Sequence, residues 1–160
     1  MSEEIMESRD QLLEQFSEWI GCIMKLNEYD EDVWNEEIAE RKWTLREIVS
    51  HMMLWDKYFF ETAIEKIYKE EKLTIIHQDF DEFNDNAKEY GKRTNIKQLI
   101  EQSMNIREQI IQHIRKLSEE AYLASYLDSG EPFHIPQYLQ DFIWHDQHHM
   151  GQLNDFIARH

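Results

Sequence analysis

Three histidines fall within five positions in HDQHHMGQL, residues 145–153 of the chain. Imidazole binds divalent metals and moves protons near neutral pH, so the direction of each ring decides what this stretch can do. The flanking sequence, IPQYLQDFIWHDQHHMGQLNDFIARH, has helical periodicity. Residues four apart on a helix lie about 40° apart around the axis, one turn above the other. His145 and His149 therefore share a face with Phe142, Leu153 and Phe156, which the spacing turns toward an apolar interior. His148 lies about 100° around from His149, which places it at a rim rather than in the same set.

Two neutral imidazoles in an apolar interior each bring a donor and an acceptor that need partners. A divalent metal answers that need, and His-x-x-x-His is a common helical ligand pair. A pair of hydrogen-bonded core histidines is the alternative. Structural zinc takes four protein ligands, whereas a catalytic site takes three and keeps a position open. Only His160 lies downstream, so a third ligand is expected upstream. His51 is the best placed, because it shares a helical stripe with Ile48 and Trp55 and can face inward. His77, His113 and His134 read as surface or loop residues, with His134 just ahead of the last helix.

Two other metal chemistries are set aside. HDQHH resembles the protease pattern HExxH with Asp146 in the glutamate position, but those enzymes take their third ligand downstream and use a longer base. A di-iron bundle needs two Glu-x-x-His pairs on facing helices, and the one match, Glu131 with His134, sits in a probable turn region.

The elements that must position these residues are helical. Apolar residues recur at helical spacing over about residues 4–27, including Ile5, Leu12, Leu13, Phe16 and Trp19. Thr44 with Glu47 forms a capping-box pattern opening a second helix to about residue 70. A third helix fits residues 94–117, and a fourth runs from Pro136 to about residue 158. Between the second and third, KLTIIHQDFDEFNDNAKEYGKR carries Gly91 and reads as a connection with at most a short helix. Residues 121–134 read as a loop with a turn at Asp128 to Gly130 and a little strand. Four such helices predict an all-α four-helix bundle, one domain over residues 1–160.

Seventeen basic side chains against 33 acidic ones give a formal charge of −16. That balance excludes a nucleic-acid footprint and disfavours anionic membrane surfaces. One cysteine, Cys22, permits no internal disulfide. No apolar run is long enough to span a bilayer, and the acidic start MSEEIMESRDQLLEQF lacks a leader's pattern, so a cytoplasmic location is expected.

Two stretches resemble the DinB/YfiT-like superfamily of helical-bundle metal proteins. KWTLREIVSHMMLWDKYF is similar to the family's block at the start of its second helix, with Trp43, Thr44, Glu47 and His51 in place. HDQHHMGQL is similar to its H-x-x-H-H-R-G-Q-L signature, and order and length agree across essentially the whole chain. The resemblance implies a three-histidine site of His51, His145 and His149 holding a divalent metal, usually zinc or nickel, with water completing the shell. It further implies a homodimer and a small-molecule substrate, with transfer of a low-molecular-weight thiol such as bacillithiol to small electrophiles. A metal-dependent hydrolase, or a bundle that binds metal or a small molecule without catalysis, are the other readings. Met150 stands where the signature carries arginine, which removes a cation from beside the site. Asp146 and Gln152 are candidates to orient ligand rings, since ligating histidines usually donate their second N–H to such groups. Trp43, Trp55, Trp144 and His148 are candidates to line a pocket.

Overall fold

The computed structural model describes residues 7–39, 42–127 and 131–160. Helix α1 (Arg9–Leu26) opens at a capping box in which Ser8 Oγ accepts from the Gln11 N–H while Gln11 Oε1 accepts from the Ser8 N–H. The helix thus begins later than its apolar pattern suggests, and Ile5 lies outside the described residues. Helix α2 (Leu45–Phe59) starts at the expected box of Thr44 and Glu47. It continues through a widened π-turn, Phe60–Ile64, into a last turn at Glu65–Tyr68. The Thr62 carbonyl of that widened turn accepts from the Thr74 N–H at 2.9 Å, which pulls the following strap back along the helix.

The segment expected to be mostly connection contains a full helix, α3 (Phe80–Arg93), capped by Asp79 Oδ1 on the Glu82 N–H. Gly91 is not a loop signal but a contact. A Cβ there would lie 2.9 Å from Ser50 Cβ of α2. This small-residue seam is closed by Ser50 Oγ donating to the Ala87 carbonyl at 2.6 Å and by Arg46 donating to the carbonyls of Gly91 and Thr94. Helix α4 (Ile96–Arg115) is capped by Asn95, and α5 (Ile135–Ala158) carries Pro136 in its first turn as expected. Short helical turns at Glu31–Trp34 and Glu119–Leu123 complete the chain. The expected bit of strand is one antiparallel bridge between Tyr126 and Phe133; the turn at Asp128 to Gly130 lies outside the described residues. Among the described residues no helix is long and apolar enough to cross a membrane.

The four long helices form a bundle, with α1 packed on α4 and α5 and α2 packed on α4 and α3. The remaining edge, between α2 and α5, is filled by large side chains such as Phe59 against Phe142 and His51 against His145. One polar group crosses the middle. Arg107 of α4 is 1% exposed and donates to both carboxylate oxygens of Asp56 on α2, at 2.8 and 3.1 Å. It also donates to both oxygens of Asp146 on α5, at 2.6 and 3.2 Å, and to the Phe16 carbonyl of α1, whose ring it covers. Every long helix therefore touches one guanidinium.

Removing one partner from a buried ion pair strands the remaining charge, at a cost of about 3–5 kcal/mol. Arg107→Leu is therefore expected to lower the urea-unfolding free energy by about that amount. Replacing all three groups (Asp56→Asn, Arg107→Leu, Asp146→Asn) should recover a large part of it, and a loss that merely adds across the three changes would contradict a shared network.

Candidate metal centre

His51 comes from the second turn of α2, and His145 and His149 from successive turns of α5 across the edge that backbone packing leaves open. One ligand nitrogen from each of the three lies within 4.8 Å of the other two. The Nε2 atoms of His145 and His149 are 3.1 Å apart. Tetrahedral zinc with metal–nitrogen bonds near 2.0–2.1 Å would set its ligand nitrogens roughly 3.3 Å apart, so the pair needs little movement to share an ion. The geometry and the all-imidazole donor set fit a divalent metal.

Outer partners decide which nitrogen of each ring faces the centre. Asn84 of α3 places Oδ1 at 2.8 Å from His51 Nδ1 and at 3.1 Å from Trp55 Nε1. Indole N–H can only donate, so Trp55 fixes the Asn84 amide with its oxygen inward. That oxygen in turn requires a proton on His51 Nδ1, leaving the Nε2 lone pair for a metal. Gln152 does the same for His149, with Oε1 at 3.0 Å from Nδ1. The Trp43 ring packs edge-to-face with His51 at a centroid distance of 4.9 Å, so this tryptophan supports a ring of the centre.

Burial keeps all three imidazoles uncharged. Desolvation first, then the neighbouring His149 and His145, lowers His51 to about 3. Desolvation followed by His145 brings His149 down to about 4, and desolvation also lowers His145. Neutral imidazole is the form that binds metal, so protons compete poorly for this site at neutral pH.

Asp146 does not take the expected place beside a histidine ring. Its carboxylate points the other way along α5 and is bound to Arg107, where burial raises its pKa. The physical reason is angular: position 146 lies about 100° around the helix from 145, on the side facing α4. Met150 likewise packs against the apolar cluster that contains Trp19, Leu153 and Phe156. His148 is exposed and stacks on Trp144, with ring centroids 6.1 Å apart. His77 and His134 are exposed, His113 bonds the Gln109 carbonyl, and His160 pairs with Glu36, all away from the centre. Asn84 is the site residue that sequence reasoning missed; the Asp79 cap and the apolar pair Phe83 and Ala87 were its available signals.

A cleft of about 450 Å³ opens beside the centre, lined by His51 and His145 with Trp55, Phe59, Phe80, Phe142 and Trp144. Of the three tryptophans expected at a pocket, Trp55 and Trp144 are in its wall and Trp43 is not, nor is His148 among its lining residues. A second depression of about 290 Å³ is lined by His149 and Gln152 with Trp43 and Lys42.

Two outcomes test these assignments. Asn84→Leu keeps the helical fold and is expected to weaken divalent-metal binding by about 10–100-fold, as loss of such orienting partners does elsewhere; calorimetric titration measures it. In metal-free protein the depressed histidine values mean that unfolded chains take up protons below pH ~6.5 that the folded state refuses until about pH 3–4. Stability from these rings is therefore complete above that window and erodes as pH falls through it, and His149→Gln should show a shallower fall of thermal midpoint on acidification than the parent chain.

Comparison with known proteins agrees with the fold. A family model of the DinB superfamily matches residues 23–153. No curated protein matches the chain. Among solved structures, YfiT from Bacillus subtilis, described as a probable metal-dependent hydrolase with an unusual four-helix bundle topology, superposes with a TM-score of 0.75 at 15% identity. That match covers 99% of this chain and 91% of YfiT. The mycothiol-dependent maleylpyruvate isomerase superposes with a TM-score of 0.73 at 15% identity, over 92% of this chain but 61% of the isomerase. With its helix order, its four-helix bundle and a family match across most of its length, this chain belongs to the DinB superfamily.

Proposed function

We propose that the protein is a metal-dependent enzyme that joins a low-molecular-weight thiol, of the bacillithiol type, to a small electrophile. The observation that carries this reading is the convergence of three neutral histidines, within 4.8 Å of one another, at the wall of an apolar cleft. His51, His145 and His149 would hold the ion, while Asn84 and Gln152 keep a nitrogen lone pair of His51 and of His149 turned toward it. An all-imidazole set suits zinc or nickel. The ion, when bound with a position open, supplies a Lewis acid that makes a thiol ionise near neutral pH.

The side chains around the cleft favour thiol transfer over hydrolysis. Asp146 is committed to Arg107, and Asp141 at the cleft wall accepts from Gln137 Nε2 at 2.8 Å, so neither carboxylate is placed as a base or acid for the reacting atoms. A thiol that has already released its proton to solvent needs no base for attack. Its sulfur forms a bond to the electrophilic carbon, and the leaving group departs with the electron pair of the broken bond. The aromatic walls offer that carbon an apolar surface. The second depression, with Lys42 at its edge and Lys88 Nζ 4.6 Å from the Trp43 ring centroid, offers a cationic margin for a carboxylated thiol. The strongly acidic surface suits a small-molecule role and not nucleic acid.

Tag-free protein is expected to retain about one equivalent of zinc or nickel by elemental analysis, and His149→Ala to lose it. Loaded protein should conjugate bacillithiol to a bromobimane-type or halogenated aromatic electrophile, with His149→Ala reduced at least ~100-fold. A protein that binds no metal under non-chelating conditions would sink the reading. Metal with ester hydrolysis and no conjugation would replace it by a hydrolase, and metal with neither activity by a binding protein.

A further inference from the structure

We infer that the cleft beside the three histidines selects a planar aromatic ligand that is uncharged or cationic, and rejects anionic ones. This deepens the proposed function by naming the class of its electrophile; it rests on that reading only for the role of the metal.

The walls are aromatic on both sides. From α2 come Trp55 and Phe59, and from α5 come Phe142 and Trp144, with Phe80 of α3 at the entrance. The Trp55 ring is not free to collapse into the space. It stacks on Phe83 with centroids 3.8 Å apart, and its N–H is held by Asn84. Trp144 is 71% exposed and Phe80 65% exposed, an unusual pair of uncovered aromatics on a chain of net charge −16. Rings at such a mouth gain by covering a flat ligand, since stacking adds to the burial of apolar area. A volume of about 450 Å³ accommodates a ligand of one or two fused rings.

Charge supplies the second half of the selection. Among the described residues that line the cleft, Asp141 is the one carboxylate, and none is a lysine or an arginine. An anion entering would find no counter-charge from the protein and would face Asp141, while a cation would meet that carboxylate and the faces of the aromatic rings. Met150 packs its half-buried side chain against the core cluster and supplies no replacement cation.

The test has a metal-dependent and a metal-free arm, so the two readings fail separately. Cobalt(II)-loaded protein is titrated with imidazole, 4-phenylimidazole and 4-(imidazol-4-yl)benzoate, followed by the visible cobalt spectrum. The phenyl compound should bind at least ~10-fold tighter than imidazole and ~5-fold tighter than the benzoate. Metal-free protein is titrated with 1-methylquinolinium and 2-naphthoate, followed by tryptophan fluorescence, and the cation should bind ~10-fold tighter. Asp141→Asn should shrink both charge preferences, and Trp144→Ala should reduce the advantage of the phenyl compound over imidazole. Equal affinity for cation and anion in the metal-free arm, or a preference untouched by Asp141→Asn, overturns the inference. Failure of cobalt to bind overturns the metal reading alone, since the metal-free arm still decides the cleft.

Discussion

The arrangement depends on one buried cation. Arg107 reaches Asp56, Asp146 and the Phe16 carbonyl from the fourth side of the bundle, so its bonds close only when all four long helices hold one mutual register. Burying a guanidinium with two carboxylates gains little stability relative to an apolar core of the same shape. What it gains here is position. Burial raises Asp56 to about 6, and its pairing with Arg107 offsets part of that rise, so the network is held in balance rather than being a reservoir of stability. The histidines inherit this register directly. His145 precedes Asp146 on α5, and His51 lies on α2 little more than a turn before Asp56. A slip of either helix would misplace the imidazoles and strand charges together.

The opening between α2 and α5 follows from the same constraint. Arg107 spans it from below with a long side chain, so the two helices need not approach as closely as they approach their other neighbours. Imidazoles and aromatic rings fill the remaining width, and where they stop filling it the cleft begins. Helix α3 supports this edge from outside. Its seam at Gly91, Ala87 and Ser50 is close enough for a short asparagine to reach both His51 and Trp55. One amide oxygen thereby links the tautomer of a ligand ring to the orientation of a cleft wall.

How much of this could be read from sequence depended on how local each interaction is. The helix starts at Thr44 and Pro136 and the shared face of His145 and His149 are set within a few residues, and period and capping rules recover them. Helix α3 was hidden by its composition, because FDEFNDNAKEYGKR buries only Ala87 and Gly91 fully and offers almost no apolar stripe. Gly91 misled for a related reason: a glycine needed for close helix approach looks the same in sequence as a glycine that ends a helix. Arg107 and its partners are separated by 39 and 51 residues, and no local pattern joins them. Asp146 therefore looked like a neighbour for the histidines beside it, when its partner lies across the bundle.

The electrostatic contrast between surface and site has a consequence for ligand choice. The chain carries a charge of −16, yet the three rings of the centre are neutral and the cleft walls are uncharged apart from Asp141. The long-range field of such a surface attracts a divalent cation and slows the approach of anions, an effect that weakens with salt. At short range a divalent ion held by His51, His145 and His149 would meet dipoles rather than counter-charges, so three neutral donors would leave its full double charge available to a fourth ligand. An anion nears this centre past an acidic surface, and the lysines beside Trp43 make the depression at His149 and Gln152 the less hostile side. The aromatic cleft has no lysine or arginine among its described lining residues and presents mainly flat apolar surface. A ligand beside the histidines therefore meets one of two chemistries, a cationic margin by Trp43 or a flat apolar wall by Trp55.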